Sequence, residues 1–228
     1  HYDPACDNQK ASEFFGRISR HHLREVDFFT QTIHRKLNLE NGVLDIDTMK
    51  LEPHSTSLGF QWCLPFKFDA IAQCPTFDKF ISDITCNDKS LENVLLEYMG
   101  YCLSNDRPLA QKFMVLTGSG SNGKNTLIDI LKALGLGGFT TLKGKQLTNT
   151  FDVTMLQGSL FNITSEMPKY TDSEFWETLK DVVGGTTLTG AKKNKDAFQF
   201  DVRTKFILLV NELPKGGEPS DGPFRRFL

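Results

Sequence analysis

The sequence predicts an α/β domain built on a parallel sheet with a phosphate-binding glycine turn, preceded by a smaller, mainly helical region. Three observations carry this. The short apolar runs KFMVLT (112–117), SLFNIT (159–164) and TKFILLV (204–210) are separated by a glycine turn and helical patterns, the order of an α/β layer covered on both faces. Upstream of residue 104 most apolar positions recur at helical spacing instead. The composition, 39% hydrophobic and 24% charged over 228 residues, is that of an ordinary folded chain and excludes disordered and fibrous classes. The expected division is 1–105, helical, and 106–228, α/β.

In chain order, Phe15, Ile18, Leu23, Val26, Phe29 and Ile33 form one helical stripe within 11–38, or two helices broken near Gly16. NGVLDIDTMKLEPH (41–54) alternates and turns, which predicts a short hairpin. Residues 60–75, rich in aromatics and proline, read as irregular packing. PTFDKFISDIT and KSLENVLLEYMGYCLS predict two helices. After the glycine turn, LIDILKAL predicts a helix closed by Gly135, and Thr171 with Glu174 forms a capping box opening a helix through Trp176 and Leu179. TTLTG and AFQFDV, in 186–205, predict a hairpin with a polar tip.

The formal charge of −2 excludes a bulk attraction to polyanions, so any such site must be local. The hairpin supplies one: residues 180–205 hold six basic side chains against three acidic ones, with Lys192, Lys193 and Lys195 at the tip. Cysteines 6, 63, 74, 86 and 102 form no close pair, so they read as reduced packing thiols rather than as a disulfide or zinc framework. His21, His22 and His34 read as solvated helix residues, not ligands. No run approaches 18 apolar residues and the N-terminus has no apolar targeting segment, so a soluble, intracellular protein without membrane contact is expected. A chain opening on His1 and stopping at Leu228 reads as a fragment.

Directly after the first run comes Gly118-Ser119-Gly120-Ser121-Asn122-Gly123-Lys124-Asn125-Thr126, the spacing of a P-loop. Its glycines let successive amides face phosphate oxygens, the following helix N-terminus adds partial positive charge, and Lys124 reaches the terminal phosphates. Asn125 stands where a hydroxyl would ligate magnesium; its amide oxygen, or Thr126, is the substitute. Hydrolysis also needs an acid, a water-positioning group and a cation. Glu166, after the second run, could orient the attacking water or be a solvated strand-end residue. Asn211, after the third, could hold that water or make a turn before Pro214. Arg225 and Arg226 offer fixed positive charge suited to phosphate.

The ordered series GSGSNGKNTL, ITSE, LTGAKKNKDAFQF, FILLVNELP and FRRF resembles the superfamily 3 helicases, specifically the phage and poxvirus primase-helicase branch, over about residues 41–228. The resemblance implies a ring-forming AAA+ ATPase, hexameric, with ATP and Mg2+ as cofactors and active sites between neighbouring subunits. It implies that Gly118–Thr126 bind nucleotide and that Glu166 is the Walker B acid, sharing the metal with Asn125 and Thr126. It also implies that Asn211 is the sensor and that Arg225 or Arg226 enters the adjacent subunit's site. Lys192, Lys193 and Lys195 would grip single-stranded DNA at a replication fork, and a primase module would stand upstream in a full-length protein of viral or phage origin in the host cytoplasm. The implied function is a DNA-stimulated helicase. The alternatives are an initiator or loader that uses ATP only to assemble on DNA, and a small-molecule kinase, for which no lid or acceptor site is visible.

Overall fold

A computed structural model describes residues 35–60, 63–104, 106–118, 120, 122–135, 138–165, 173–211 and 225–228. The helical stripe before residue 35, Cys6, the three histidines, Ser119, Ser121, Glu166 and the capping residue Thr171 lie outside them. The chain divides into two compact units. Of the smaller, residues 55–60 are described, with the 3-10 turn Thr56–Leu58; the larger is Ile33–His54 with Trp62–Leu228.

The larger unit begins with an antiparallel meander, β1 (Lys36–Leu39), β2 (Gly42–Asp45) and β3 (Lys50–Glu52). Helical spacing predicts that residues 36–38 end a helix. They form a strand instead because Glu40-Asn41 makes a two-residue hairpin loop, with Leu39 opposite Gly42, and interstrand bonds outweigh the helical spacing of Leu37 after Ile33. The predicted hairpin at 41–54 is the β2–β3 pair. Helices α1 (Pro75–Ile84) and α2 (Lys89–Leu103) follow as expected; Pro75 pre-sets the first turn of α1, and the Asp88 carboxylate caps α2 by accepting from the amides of Ser90 and Leu91.

The main sheet is parallel and four-stranded, in the order β4 (Met114–Thr117), β9 (Lys205–Val210), β6 (Phe161–Ser165), β5 (Phe139–Thr140). Between these strands run α3 (Lys124–Gly135), α4 (Gly144–Leu147), the 3-10 turn Asp152–Leu156, α5 (Ser173–Val183) and the hairpin β7 (Thr187–Gly190) with β8 (Phe198–Asp201). Two residues of β5 are too few to show a period, and pairing with β6 defines them.

Alternation along the strands fills two layers. Met114, Ile163 and Ile207 pack with Ile81 of α1, Tyr98 of α2 and Leu131 of α3 on one face. Phe113, Phe206 and Leu208 pack with Leu142, Leu179 of α5 and Phe200 of β8 on the other. The Tyr98 hydroxyl donates to the Phe206 carbonyl at 2.7 Å, tying α2 to the middle of the sheet. Strand β6 keeps two polar residues inside its near-continuous apolar run: Asn162 and Thr164 are fully buried. They are tolerated because the Asn162 amide oxygen accepts from Leu142 N at 2.8 Å while the Thr164 hydroxyl donates to Leu142 O at 2.9 Å, satisfying a connection that β5 is too short to pair.

Among the described cysteines only Cys102 packs as expected; Cys63, Cys74 and Cys86 are exposed, and all four are free thiols.

Candidate nucleotide and nucleic-acid site

Gly118 leaves β4 with φ +144°, and a Cβ there would come within 1.9 Å of the Asn122 amide nitrogen. At Gly123, with φ +82°, a Cβ would meet Ile84 of α1 at 2.7 Å. Both positions therefore require glycine, one for the turn and one for the approach of α1. Helix α3 starts at Lys124, and Leu127 N donates back to Gly123 O at 3.0 Å. The Lys124 ammonium donates to Gly118 O at 2.5 Å and to Asn122 Oδ1 at 2.9 Å. Both acceptors are neutral, so these contacts leave its charge uncompensated at the mouth of the turn. Asn125 and Thr126 are exposed in the first turn of α3. A cleft of about 300 Å³ runs from Thr117, Asn122 and Lys124 to an apolar wall of Ile84, Leu91 and Val94, the small-molecule pattern of apolar lining with a few polar groups at one end.

The sheet brings distant segments to this edge. Thr117 lies opposite Val210, and Ser165 opposite Leu209, so the chain leaves β4, β9 and β6 almost level. At about 4.8 Å between strands, Asn211 departs between the carboxyl ends of β4 and β6, which are about 10 Å apart. Glu166 itself is outside the described residues; its predecessor Ser165 is placed, and Asn211 is exposed at the end of β9. After β4 the next strand of the chain is β5, at the far side of the sheet. After β9 the chain returns on the other side of β4, where Phe227 bridges Phe113 in parallel. Between β4 and β9 the connections diverge, and crevices at such switch points hold ligands in parallel α/β sheets.

The arginines are elsewhere. Phe113 N donates to Arg226 O at 2.9 Å and Val115 N to Leu228 O at 3.1 Å, which seats 226–228 beside the amino end of β4. Five residues separate Phe113 from Gly118, about 16 Å of extended chain. Arg225 is exposed, its carbonyl accepting from the Lys112 ammonium. The Arg226 guanidinium donates to the carbonyl of Lys180, near the end of α5. Neither is brought to the glycine turn of its own chain.

The predicted hairpin forms, with Gly190 opposite Phe198 and Thr187 opposite Asp201. Lys192, Lys193 and Lys195 are exposed at its tip, where Lys195 N donates to Lys192 O at 3.0 Å and Asn194 takes φ +60°; the Lys192 ammonium lies 5.3 Å from the Phe198 ring centroid. Not all six basic residues counted in this segment serve a polyanion. Lys205 is 1% exposed, bonded to the carbonyls of Ser104 and Asp106 and lying 5.0 Å from the Tyr101 ring centroid. Burial lowers its pKa to about 8.

An apolar pair beside the tip is invisible in the sequence. Ala191 N, at the tip, donates to Thr150 O at 3.0 Å, and next to Thr150 in the chain Phe151 and, four residues on, Met155 are each 55% exposed. Two apolar residues four apart in a 3-10 turn read as core; only the fold leaves them facing solvent near the lysines.

For magnesium the described donors are the Asn125 amide oxygen and the Thr126 and Thr117 hydroxyls, hard oxygens suited to an ion that keeps several waters and takes phosphate oxygens. Among the described residues no three His, Cys, Asp or Glu side chains cluster as a protein-only metal site.

Comparison with known proteins agrees with the motif series. Residues 116–226 match a family of unknown function designated DUF5906, and residues 2–86 match the family described as D5 N terminal like. A protein of Acanthamoeba polyphaga mimivirus named "Putative helicase" is 28% identical over 210 residues, covering 83% of this chain. The resemblance to viral and phage primase-helicases holds. The chain spans 21% of that mimivirus protein. Two apo structures of the NrS-1 C terminal region are similar in fold, with TM-scores of 0.58 and 0.55 at 19% and 17% identity. Each likeness covers 69% of this chain, and 38% and 37% of the solved chains. These likenesses speak to fold alone, and this chain carries its parallel sheet within a mixed α/β fold.

Proposed function

We propose that the chain is the motor region of an ATP-dependent DNA helicase of the AAA+ type, with 106–228 as the ATPase core and 1–105 as a preceding region. The observation that carries this is the level exit of β4, β9 and β6. It sets the glycine turn, Asn211 and Ser165 along one sheet edge at the switch point. The mimivirus relative's name supports the same reading.

In this reading the turn's amides, the start of α3 and Lys124 hold the triphosphate, and the base and sugar extend into the apolar cleft. Magnesium, when bound, neutralises phosphate charge, with Asn125 and Thr126 supplying protein oxygens. Glu166 and Asn211 position the attacking water from adjacent strand ends. Because Arg225 and Arg226 lie at the opposite edge, the cation completing the site comes from a second copy, and a closed ring, hexameric in this reading, follows from repeating that contact. The lysine tip binds DNA phosphates, while Phe151 offers a face on which a base can stack.

Steady-state ATP hydrolysis with and without single-stranded DNA tests this. Wild type is expected to hydrolyse ATP faster with DNA. Lys124→Ala is expected to weaken ATP binding by about 1.5–3 kcal/mol, roughly ten- to a hundredfold, through loss of a charged hydrogen-bond donor. Glu166→Gln is expected to bind ATP without turning it over. Binding and assembly on DNA without turnover in wild type would favour the initiator or loader reading, to which the missing hydroxyl at Asn125 points. Unchanged ATP affinity in Lys124→Ala would remove the turn from the mechanism.

A further inference from the structure

Asn122 belongs to the turn expected to bind nucleotide, but no separate role is assigned to its side chain, which lies where a ligand would enter. Its amide nitrogen packs over Gly118 so closely that the missing Cβ would sit 1.9 Å away, and its amide oxygen accepts from the Lys124 ammonium at 2.9 Å. The carboxamide thus covers the start of the turn and engages the cation expected to meet the terminal phosphates. An amide oxygen is a neutral hard acceptor, weaker than a phosphate oxygen, so a triphosphate can displace it at a cost.

We propose that Asn122 is an internal stand-in for phosphate: it holds Lys124 across the mouth of the turn and must swing away before nucleotide binds. This rests on the reading that the turn holds a triphosphate. Its consequence is a conformational tax, since apparent affinity is the intrinsic affinity multiplied by the fraction of molecules in which Lys124 is released. The contact also holds the ammonium above Gly118 rather than loose in solvent, so the charge is retained at the entrance for the incoming anion.

Two substitutions bracket the idea, because Asn122 is exposed and neither changes the core. Asn122→Ala removes the competitor and is expected to bind ATP about three- to tenfold more tightly, the worth of one exposed charge-assisted hydrogen bond. Asn122→Asp replaces the amide by a carboxylate beside Lys124 and is expected to bind roughly ten- to a hundredfold more weakly, since an ion pair now competes and the anion is repelled. Calorimetric titration of the full chain with ATP and magnesium reads both, with thermal melting to verify that each variant is folded. Affinity equal to or weaker than wild type in folded Asn122→Ala, or wild-type affinity in folded Asn122→Asp, overturns the proposal. Lys124→Ala in the same titration separates the two levels of claim. If it binds as wild type, the phosphate cradle itself fails; if it loses binding while Asn122→Ala gains nothing, only the stand-in role fails.

Discussion

Lys205 enters β9 with its ammonium inside the protein, bonded to the carbonyls of Ser104 and Asp106, and it ties the end of α2 to the sheet. Burial lowers its pKa to about 8 from an ordinary 10.5. Between those values the unfolded chain holds a proton the folded chain has released, so this residue makes stability rise with pH across that window, by at most about 3 kcal/mol. The thiol of Cys102 works against it: burial raises its pKa, so the folded state keeps a proton that the unfolded state loses from about pH 8.5 upward. In Lys205→Met the Cys102 thiol remains and loses the cation that favours its ionised form, so its pKa moves further up and the change adds to wild type's gain at high pH. Denaturant unfolding at pH 7.5 and pH 10 is expected to find wild type gaining on Lys205→Met as pH rises, and a parallel pH response of the two would contradict the buried cation. A second residue-level test falls on Gly123. Its φ of +82° and the 2.7 Å approach of Ile84 predict that Gly123→Ala costs about 1–3 kcal/mol and displaces α1 from the turn. A melting temperature unchanged from wild type would mean the helix does not buttress the turn.

At the level of elements, the hairpin β7–β8 presents its charge at the tip and keeps its base fixed, with Asp201 accepting from Thr187 at 2.7 Å and paired with Arg107. Lys192→Ala with Lys193→Ala is expected to weaken single-stranded DNA binding and to reduce the slope of log affinity against log salt by up to about 1.4, two phosphate contacts at about 0.7 each. Phe151→Ala is expected to weaken binding by about 1–3 kcal/mol with the slope unchanged, since stacking releases no counterions. A change of slope in Phe151→Ala, or none in the lysine pair, would reverse these assignments. Gly118–Thr126, α3 and the hairpin are legible in the sequence because charge, glycine and strand signals coincide there in short segments. What is not legible depends on partners far along the chain. Residues 36–38 become β1 only because the Glu40-Asn41 loop folds β2 back on them. Phe139 and Thr140 become a strand only against β6, and Asn162 is tolerated inside only because Leu142 lies beside it. The exposure of Phe151 likewise follows from tertiary packing and not from its neighbours in sequence.

For the whole molecule, the parallel sheet separates two chemistries to opposite edges. The glycine turn and Asn211 stand at the carboxyl ends of the strands, and Arg225 and Arg226 stand at the amino end of β4. Among the described residues no helix is long and apolar enough to cross a membrane. Under the proposed function, a site divided in this way needs two copies to be completed, and that is the claim on which ring formation and coupling to DNA both rest. Mixing two inactive chains tests it most directly. One carries Lys124→Ala with its arginines intact; the other carries Arg225→Ala with Arg226→Ala and an intact turn, its folding verified by melting. Each alone is expected to be inactive, and the mixture is expected to recover part of the wild-type ATP hydrolysis as intact turns meet intact arginines. A mixture as inactive as its components, or full hydrolysis by the arginine variant alone, would contradict a site shared between copies.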